Sequence, residues 1–300
     1  MPGLTIFGAG SYGRHEASTH SDIDLFFLID GKNDAIPEPR TSSLRLFAKV
    51  IETVDLMSFP KLSNDCEYLE LLSTADILYH LGSRTDDSAN YFTARMLLLL
   101  EGQCLHGSIV YEKVLKDVVD SYFNDFPDHK QTFSPMFLVN DICRFWKTML
   151  LNYENRRGLR DPAAATEDRK TKHKVRNFKL KFSRMTTCFA SVAALGSFSA
   201  PVTPEQVIQL VRMTPRARLM SVSERISSMK PAVQKVLAEY EWFLEMTGQP
   251  TTELEAHFSD VQKRRQMFER AIAYGDLMYG LLQAIDATDG RLKLIRNIAI

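Results

Sequence analysis

The chain has 300 residues, 45% hydrophobic and 25% charged, which are the proportions of an ordinary globular protein with length enough to bury a core. Its 37 Lys and Arg balance 37 Asp and Glu, arguing against a uniformly basic nucleic-acid coat and against an acidic solvating chain. The longest apolar run, Met96 to Leu100, falls far short of the roughly 18 residues of a membrane span, and the first residues lack a signal-peptide pattern, so a cytoplasmic protein with no membrane partner is expected.

In chain order, Leu4 to Phe7 reads as a strand entering a glycine turn, and Ile23 to Ile29 as a strand buried on both faces. Leu46, Phe47, Val50, Ile51 and Val54 fall at helical spacing. Tyr68 to Leu72 is a short strand carrying Glu70 between two leucines, and helical patterns follow at Asn90 to Leu100 and Ile109 to Phe123. Beyond Pro127 and Pro135 only helical periodicity remains: Phe137 to Tyr153, Phe178 to Leu195, Pro204 to Met213, Ser221 to Thr247 and Glu253 to Ile285. The expected architecture is therefore an α/β domain over residues 1–130, a short mixed sheet with helices, followed by an all-α domain over residues 131–300.

Cys66, Cys104, Cys143 and Cys188 are widely spaced with no C-x-x-C pair, and read as reduced thiols rather than a disulfide or zinc framework. The charge is unevenly divided. Residues 1–130 hold 11 Lys and Arg against 20 Asp and Glu, a net of −9, and residues 131–300 hold 26 against 17, a net of +9.

The most informative segment is Gly8-Ala9-Gly10-Ser11-Tyr12-Gly13-Arg14, followed, with ten residues between Ser11 and Asp22, by Asp22-Ile23-Asp24-Leu25. Alternation on a strand sends Asp22 and Asp24 to one face. Two carboxylates held that close call for a neutralising cation, and hard oxygen donors suit Mg²⁺ or Mn²⁺. Gly10 lets the backbone approach a phosphate, with amides and the Ser11 hydroxyl as donors. Arg14 reads either as a phosphate ligand or as an ion-pair partner of Glu16. His15 and His20 read as solvent-exposed loop residues.

A second feature is Arg169 to Arg184, with eight Lys and Arg, no acid, and Phe178 and Phe182 interleaved. It reads equally as a surface for a triphosphate or nucleic-acid backbone and as a solvated basic loop leading into a helix whose phenylalanines face the core. Lys179 has the best individual placement for a phosphate. Trp146, in an amphipathic segment, reads as core rather than as a base-stacking platform.

Phe7 to Leu28 resembles the signature of the DNA polymerase β-type nucleotidyltransferase superfamily: hydrophobic-Gly-Ser, about ten residues, then Asp-hydrophobic-Asp. Gly-Ser-Tyr-Gly-Arg with Ser-Asp-Ile-Asp-Leu is most similar to the nucleotidyltransferase domains of PII uridylyltransferase and glutamine synthetase adenylyltransferase. A looser similarity runs through Thr74 to Leu105. The resemblance implies a nucleotide-phosphate turn at Gly10 and Ser11 and two Mg²⁺ or Mn²⁺ ions at Asp22 and Asp24. It also implies a third carboxylate, placed at Glu70 with Glu67 as second choice. The implied reaction transfers a nucleoside monophosphate from an NTP or dNTP, ATP included, to a hydroxyl acceptor, releasing pyrophosphate. The acceptor is a protein by the nearest resemblance, or a nucleotide or oligonucleotide by the basic C-terminal half, as in bacterial signal-nucleotide synthases and terminal transferases. The alternative is a non-catalytic nucleotide-binding regulator or antitoxin-like module.

Overall fold

A computed structural model describes residues 2–31, 40–60, 62, 69–158 and 167–295. The chain separates into two units: residues 1–127 with 204–214, and residues 128–203 with 215–300. A small mixed sheet with helices comes first and helices follow.

The first unit is organised on four strands, β1 (Leu4–Ala9), β2 (Asp24–Ile29), β3 (Leu71–Ser73) and β4 (Gln103–His106), in the order β3-β2-β1-β4. β1 runs antiparallel to β2 and β4, and β3 runs parallel to β2. The inner strands are buried almost throughout, as a sheet covered on both faces requires. Its helices are α1 (Gly10–Gly13), α2 (Arg40–Leu56), α3 (Thr74–Tyr79), α4 (Arg84–Ser88), α5 (Tyr91–Glu101) and α6 (Ser108–Asp120).

Strand alternation sorts the two faces. Leu4, Ile23, Leu25 and Phe27 form one core with Val54 and Leu62, against which Leu46, Phe47, Val50 and Ile51 of α2 pack. The rings of Phe27 and Phe47 meet edge to face at 5.2 Å. On the opposite face Phe7 stacks on Phe26 at 5.3 Å and meets Tyr111 of α6 at 6.2 Å.

A buried ion pair ties the helices of this unit together. Arg95, fully buried, donates to both carboxylate oxygens of Asp86 (2.9 and 2.7 Å), to the Ile77 carbonyl (3.1 Å) and to the Tyr122 hydroxyl (3.0 Å). Burial alone would lower the Arg95 pKa; the bonds to Asp86 and Tyr122 outweigh it and hold the guanidinium charged.

The second unit contains α7 (Met136–Gly158), α8 (Glu167–Lys179) and α9 (Met185–Gly196). A π-turn at Leu180–Arg184 joins α8 to α9 without a break. The chain then makes α10 (Pro204–Val211), α11 (Pro215–Arg225), α12 (Lys230–Thr247), α13 (Thr251–Ser259) and α14 (Val261–Ala287). An aromatic cluster of Phe178, Phe182, Tyr240, Phe243, Phe258 and Tyr274 fills the core, with Phe182 stacked on Phe243 at 4.8 Å and on Tyr274 at 4.5 Å. Arg291 donates to the Ser197 carbonyl at the end of α9 and to the Arg225 carbonyl at the end of α11, satisfying acceptors that helix ends leave open.

Several elements differ from the sequence reading. α10 belongs to the first unit, because its apolar stripe of Val207, Leu210 and Val211 is buried there against α5 and α6. The basic run is helical from Glu167 rather than a loop before Phe178. The Ser221 to Thr247 segment is two helices, since Ile226 departs from helical backbone angles and Pro231 opens α12. The Glu253 to Ile285 segment also divides, at Asp260, whose carboxylate accepts from the Lys263 N–H at 2.8 Å and caps α14. No helix among the described residues is long and apolar enough to cross a membrane.

Candidate functional site

β1 ends at Ala9, and the chain turns sharply at Gly10, whose φ of +64° lies in the left-handed region that glycine enters without penalty. A Cβ at Gly10 would fall inside contact distance of the Asp24 carboxylate. One at Gly13 would overlap the Glu101 and Gly8 carbonyl oxygens. The two glycines let the one-turn helix α1 lie flat between β2 and the end of α5, with the Gly10 backbone directly against Asp24.

Register puts Asp24 opposite Ala9 at the head of β2. Ile23 is committed to the α2-side core and bridges to Leu62, so Asp22 and Asp24 on either side of it belong to the other face. Asp22 is exposed and Asp24 half-buried. The connection from α1 is pinned locally: the Ser18 N–H donates to Ser21 Oγ at 2.9 Å and the His20 N–H to Ser18 Oγ at 3.2 Å. His15, exposed, takes a left-handed φ of 60° on leaving α1.

Beneath this turn lies a buried charge cluster. Glu101, whose side chain is fully buried at the end of α5, accepts from the Gly10 N–H at 3.1 Å and from Arg14 Nη1 at 2.5 Å. Arg14 Nε donates to Glu16 at 2.7 Å. Of the two readings of Arg14, the structure displays the ion pair with Glu16 and adds a second with Glu101. Glu101 also takes the Gly10 amide counted among the phosphate donors, which leaves the half-buried Ser11 as the hydroxyl at the turn.

Glu70 is exposed and immediately precedes β3. Since Phe27 pairs with Leu71, Glu70 falls beside Phe26, on the Asp24 face and two residues further along. Strand spacings put its Cα about 8 Å from that of Asp24. Glu70 also contributes to raising the Tyr91 pKa, after burial of that phenol and its interactions with Asp76. Asp76 is itself buried, and its Oδ1 has no hydrogen-bond partner among the described residues. Glu67 lies outside the described residues. Lys179 belongs to the second unit, exposed at the end of α8.

The structure thus brings Gly10, Ser11, Arg14 and Asp24 together with Asp22 alongside. It sets Glu70 on a neighbouring strand position and carries Lys179 on a different unit. Among the described residues no group of three or more His, Cys, Asp or Glu side chains is gathered as a metal site. The Asp22 and Asp24 pair supplies hard oxygen donors, and the missing Cβ of Gly10 leaves backbone close to Asp24, features that suit a Mg²⁺-bound phosphate. Glu101 and Asp76 were not singled out in the sequence. The first had a signal: an acid closing the apolar run Met96 to Leu100, where an exposed helix end would be polar on more than one side.

No protein-family model matches the chain, and no solved structure matches it. A stretch of 66 residues is 36% identical to part of the inner tegument protein of Human herpesvirus 6B (strain Z29). That stretch covers 21% of this chain and 6% of the viral protein's length.

Proposed function

We propose that the first unit is a nucleotidyltransferase module of the DNA polymerase β type, moving a nucleoside monophosphate from an NTP or dNTP to a hydroxyl acceptor. The observation that carries this reading is the placement of the Gly10 backbone, at positive φ, against the Asp24 carboxylate at the head of β2. A side chain at position 10 would collide with the Asp24 carboxylate, so glycine there lets a metal-binding carboxylate sit directly against the turn that would donate to a phosphate.

In this reading the acceptor's hydroxyl oxygen bonds to the α-phosphorus, the bond from that phosphorus to the β-phosphate bridging oxygen breaks, and pyrophosphate leaves. The hydroxyl proton passes to Glu70 or to solvent. Asp22 and Asp24 would hold the divalent cations, whose chemistry when bound would be charge neutralisation at the triphosphate and a more acidic acceptor hydroxyl. Ser11 donates to a phosphate oxygen from the turn. Arg14 and Glu101 act one layer below, holding Gly10 in place rather than touching the nucleotide. The acceptor is a protein or a nucleotide strand.

The test incubates the purified chain with Mg²⁺ or Mn²⁺, each labelled ribo- and deoxynucleoside triphosphate, and candidate acceptors, and resolves products by mass. One nucleotide mass added to protein supports modification, and a ladder of oligomers supports synthesis. Nucleotide binding without any product supports the non-catalytic regulator instead.

A further inference from the structure

The second unit carries a charge pattern that the proposed chemistry does not use. Along α8, Arg169, Lys172, Arg176 and Lys179 recur at intervals of three, four and three residues, which aligns them on one side of the helix. Thr171, Val175 and Phe178 are buried on another side, packed toward α13 and α14. Lys172, Arg176 and Lys179 are exposed and Arg169 is half-buried. At 1.5 Å of rise per residue the row is about 15 Å long, with a positive charge roughly every 5 Å.

Asp168 and Glu255 stand beside Lys172 in this row. Asp168 pairs with Lys172 at 2.9 Å, with both side chains more than half exposed, and chiefly raises the Lys172 pKa; Glu255 of α13 adds to that shift. Exposed pairs of this kind contribute little to stability and yield readily to a competing anion.

We propose that this row binds the phosphodiester backbone of a nucleic-acid strand. Long cationic side chains at regular steps match an evenly repeating anion. No large apolar side chain is exposed on α8, so a membrane surface would gain nothing beyond charge. The interleaved aromatics do not stack on bases, because Phe178 and Phe182 are fully buried in the aromatic core. Binding is therefore independent of base sequence and strongly dependent on salt. The inference does not require the nucleotidyl-transfer reading, and its test contains no triphosphate.

The experiment measures fluorescence anisotropy of a labelled RNA of about 20 nucleotides against the full chain at several salt concentrations between about 50 and 200 mM. For four contacted phosphates the logarithm of affinity should fall against the logarithm of salt with a slope near −3, about −0.7 per contact. The triple variant Lys172→Glu, Arg176→Glu, Lys179→Glu should bind at least about tenfold more weakly at the lowest salt, with the slope flattened by about 2 units. The same positions changed to Gln, with an unfolding midpoint equal to that of the wild type, should also weaken binding, by less than the Glu variant, with the slope flattened by about 2 units, and exclude misfolding as the cause. Absence of binding at low salt overturns the proposal, as does a Gln variant that binds like the wild type. Polyglutamate or phosphatidylserine vesicles binding as tightly through the same residues would also overturn it.

Discussion

At Glu101 a single buried carboxylate serves two donors, 91 and 87 positions away in sequence: the Gly10 amide and the Arg14 guanidinium. Glu101→Ala leaves both donors short of an acceptor, although Glu16 still pairs with Arg14. The expected cost is about 2–3 kcal/mol, below the roughly 3–5 kcal/mol of a fully orphaned buried charge. Glu101→Gln keeps an acceptor for Gly10 and should lose less. Urea unfolding of the two variants checks this, and an Ala variant as stable as the wild type would remove Glu101 from the account. Gly10→Ala meets two obstacles, a left-handed φ costing about 1–2 kcal/mol and the Asp24 carboxylate in the space of the new methyl. It should lower stability by at least that amount and abolish nucleotide transfer. The Gly-Ser turn and the Asp-x-Asp pair were legible in the sequence because their spacing is local. The partner of the turn was not, since Glu101 meets it through the tertiary packing of α5 on β1.

Among the elements, the ones the sequence missed share a physical cause. β4 is a four-residue edge strand, largely exposed and without alternation, so no periodicity marks it. α8 buries only Thr171, Val175 and Phe178 in thirteen residues and looks like a charged loop until α13 and α14 supply its packing partners. The break between α13 and α14 contains neither Gly nor Pro and depends on the Asp260 cap. That cap gives a pH prediction. Backbone donation from Lys263 first, and Gln262 after it, holds the Asp260 carboxyl below its ordinary value. The cap therefore stabilises α14 above the unfolded-state pKa and is lost as pH falls through the lower, folded value. The unfolding midpoints of wild type and Asp260→Asn should differ near neutral pH and converge in acid. A difference that stays constant would show that the carboxylate charge plays no part. The Asp86–Arg95 pair anchors α3, α4 and α5, and Asp86→Ala should cost about 3–5 kcal/mol in urea unfolding by leaving a buried guanidinium without its counter-charge.

For the whole molecule, the balanced net charge hides an acidic segment with the candidate carboxylates and a basic one with the α8 row. The sheet-then-helix order could be read from the change of hydrophobic period near Pro127. The return of α10 to the first unit could not, because an amphipathic helix does not declare which core it joins. Val207→Asp, placing a charge in that buried stripe, should speed amide exchange in α5 and α6 and leave α12 and α14 unchanged; the reverse pattern would assign α10 to the other unit. The central claim, metal-dependent transfer at the Gly10–Asp24 turn, is tested most directly by label transfer from triphosphates with wild type and Asp24→Asn in parallel. Transfer by the wild type with Mg²⁺ or Mn²⁺, reduced at least about a hundredfold in the variant, is the expected result. Contradiction would come from wild-type protein that transfers nothing under any metal and nucleotide, together with an Asp24→Asn variant whose nucleotide binding is unchanged.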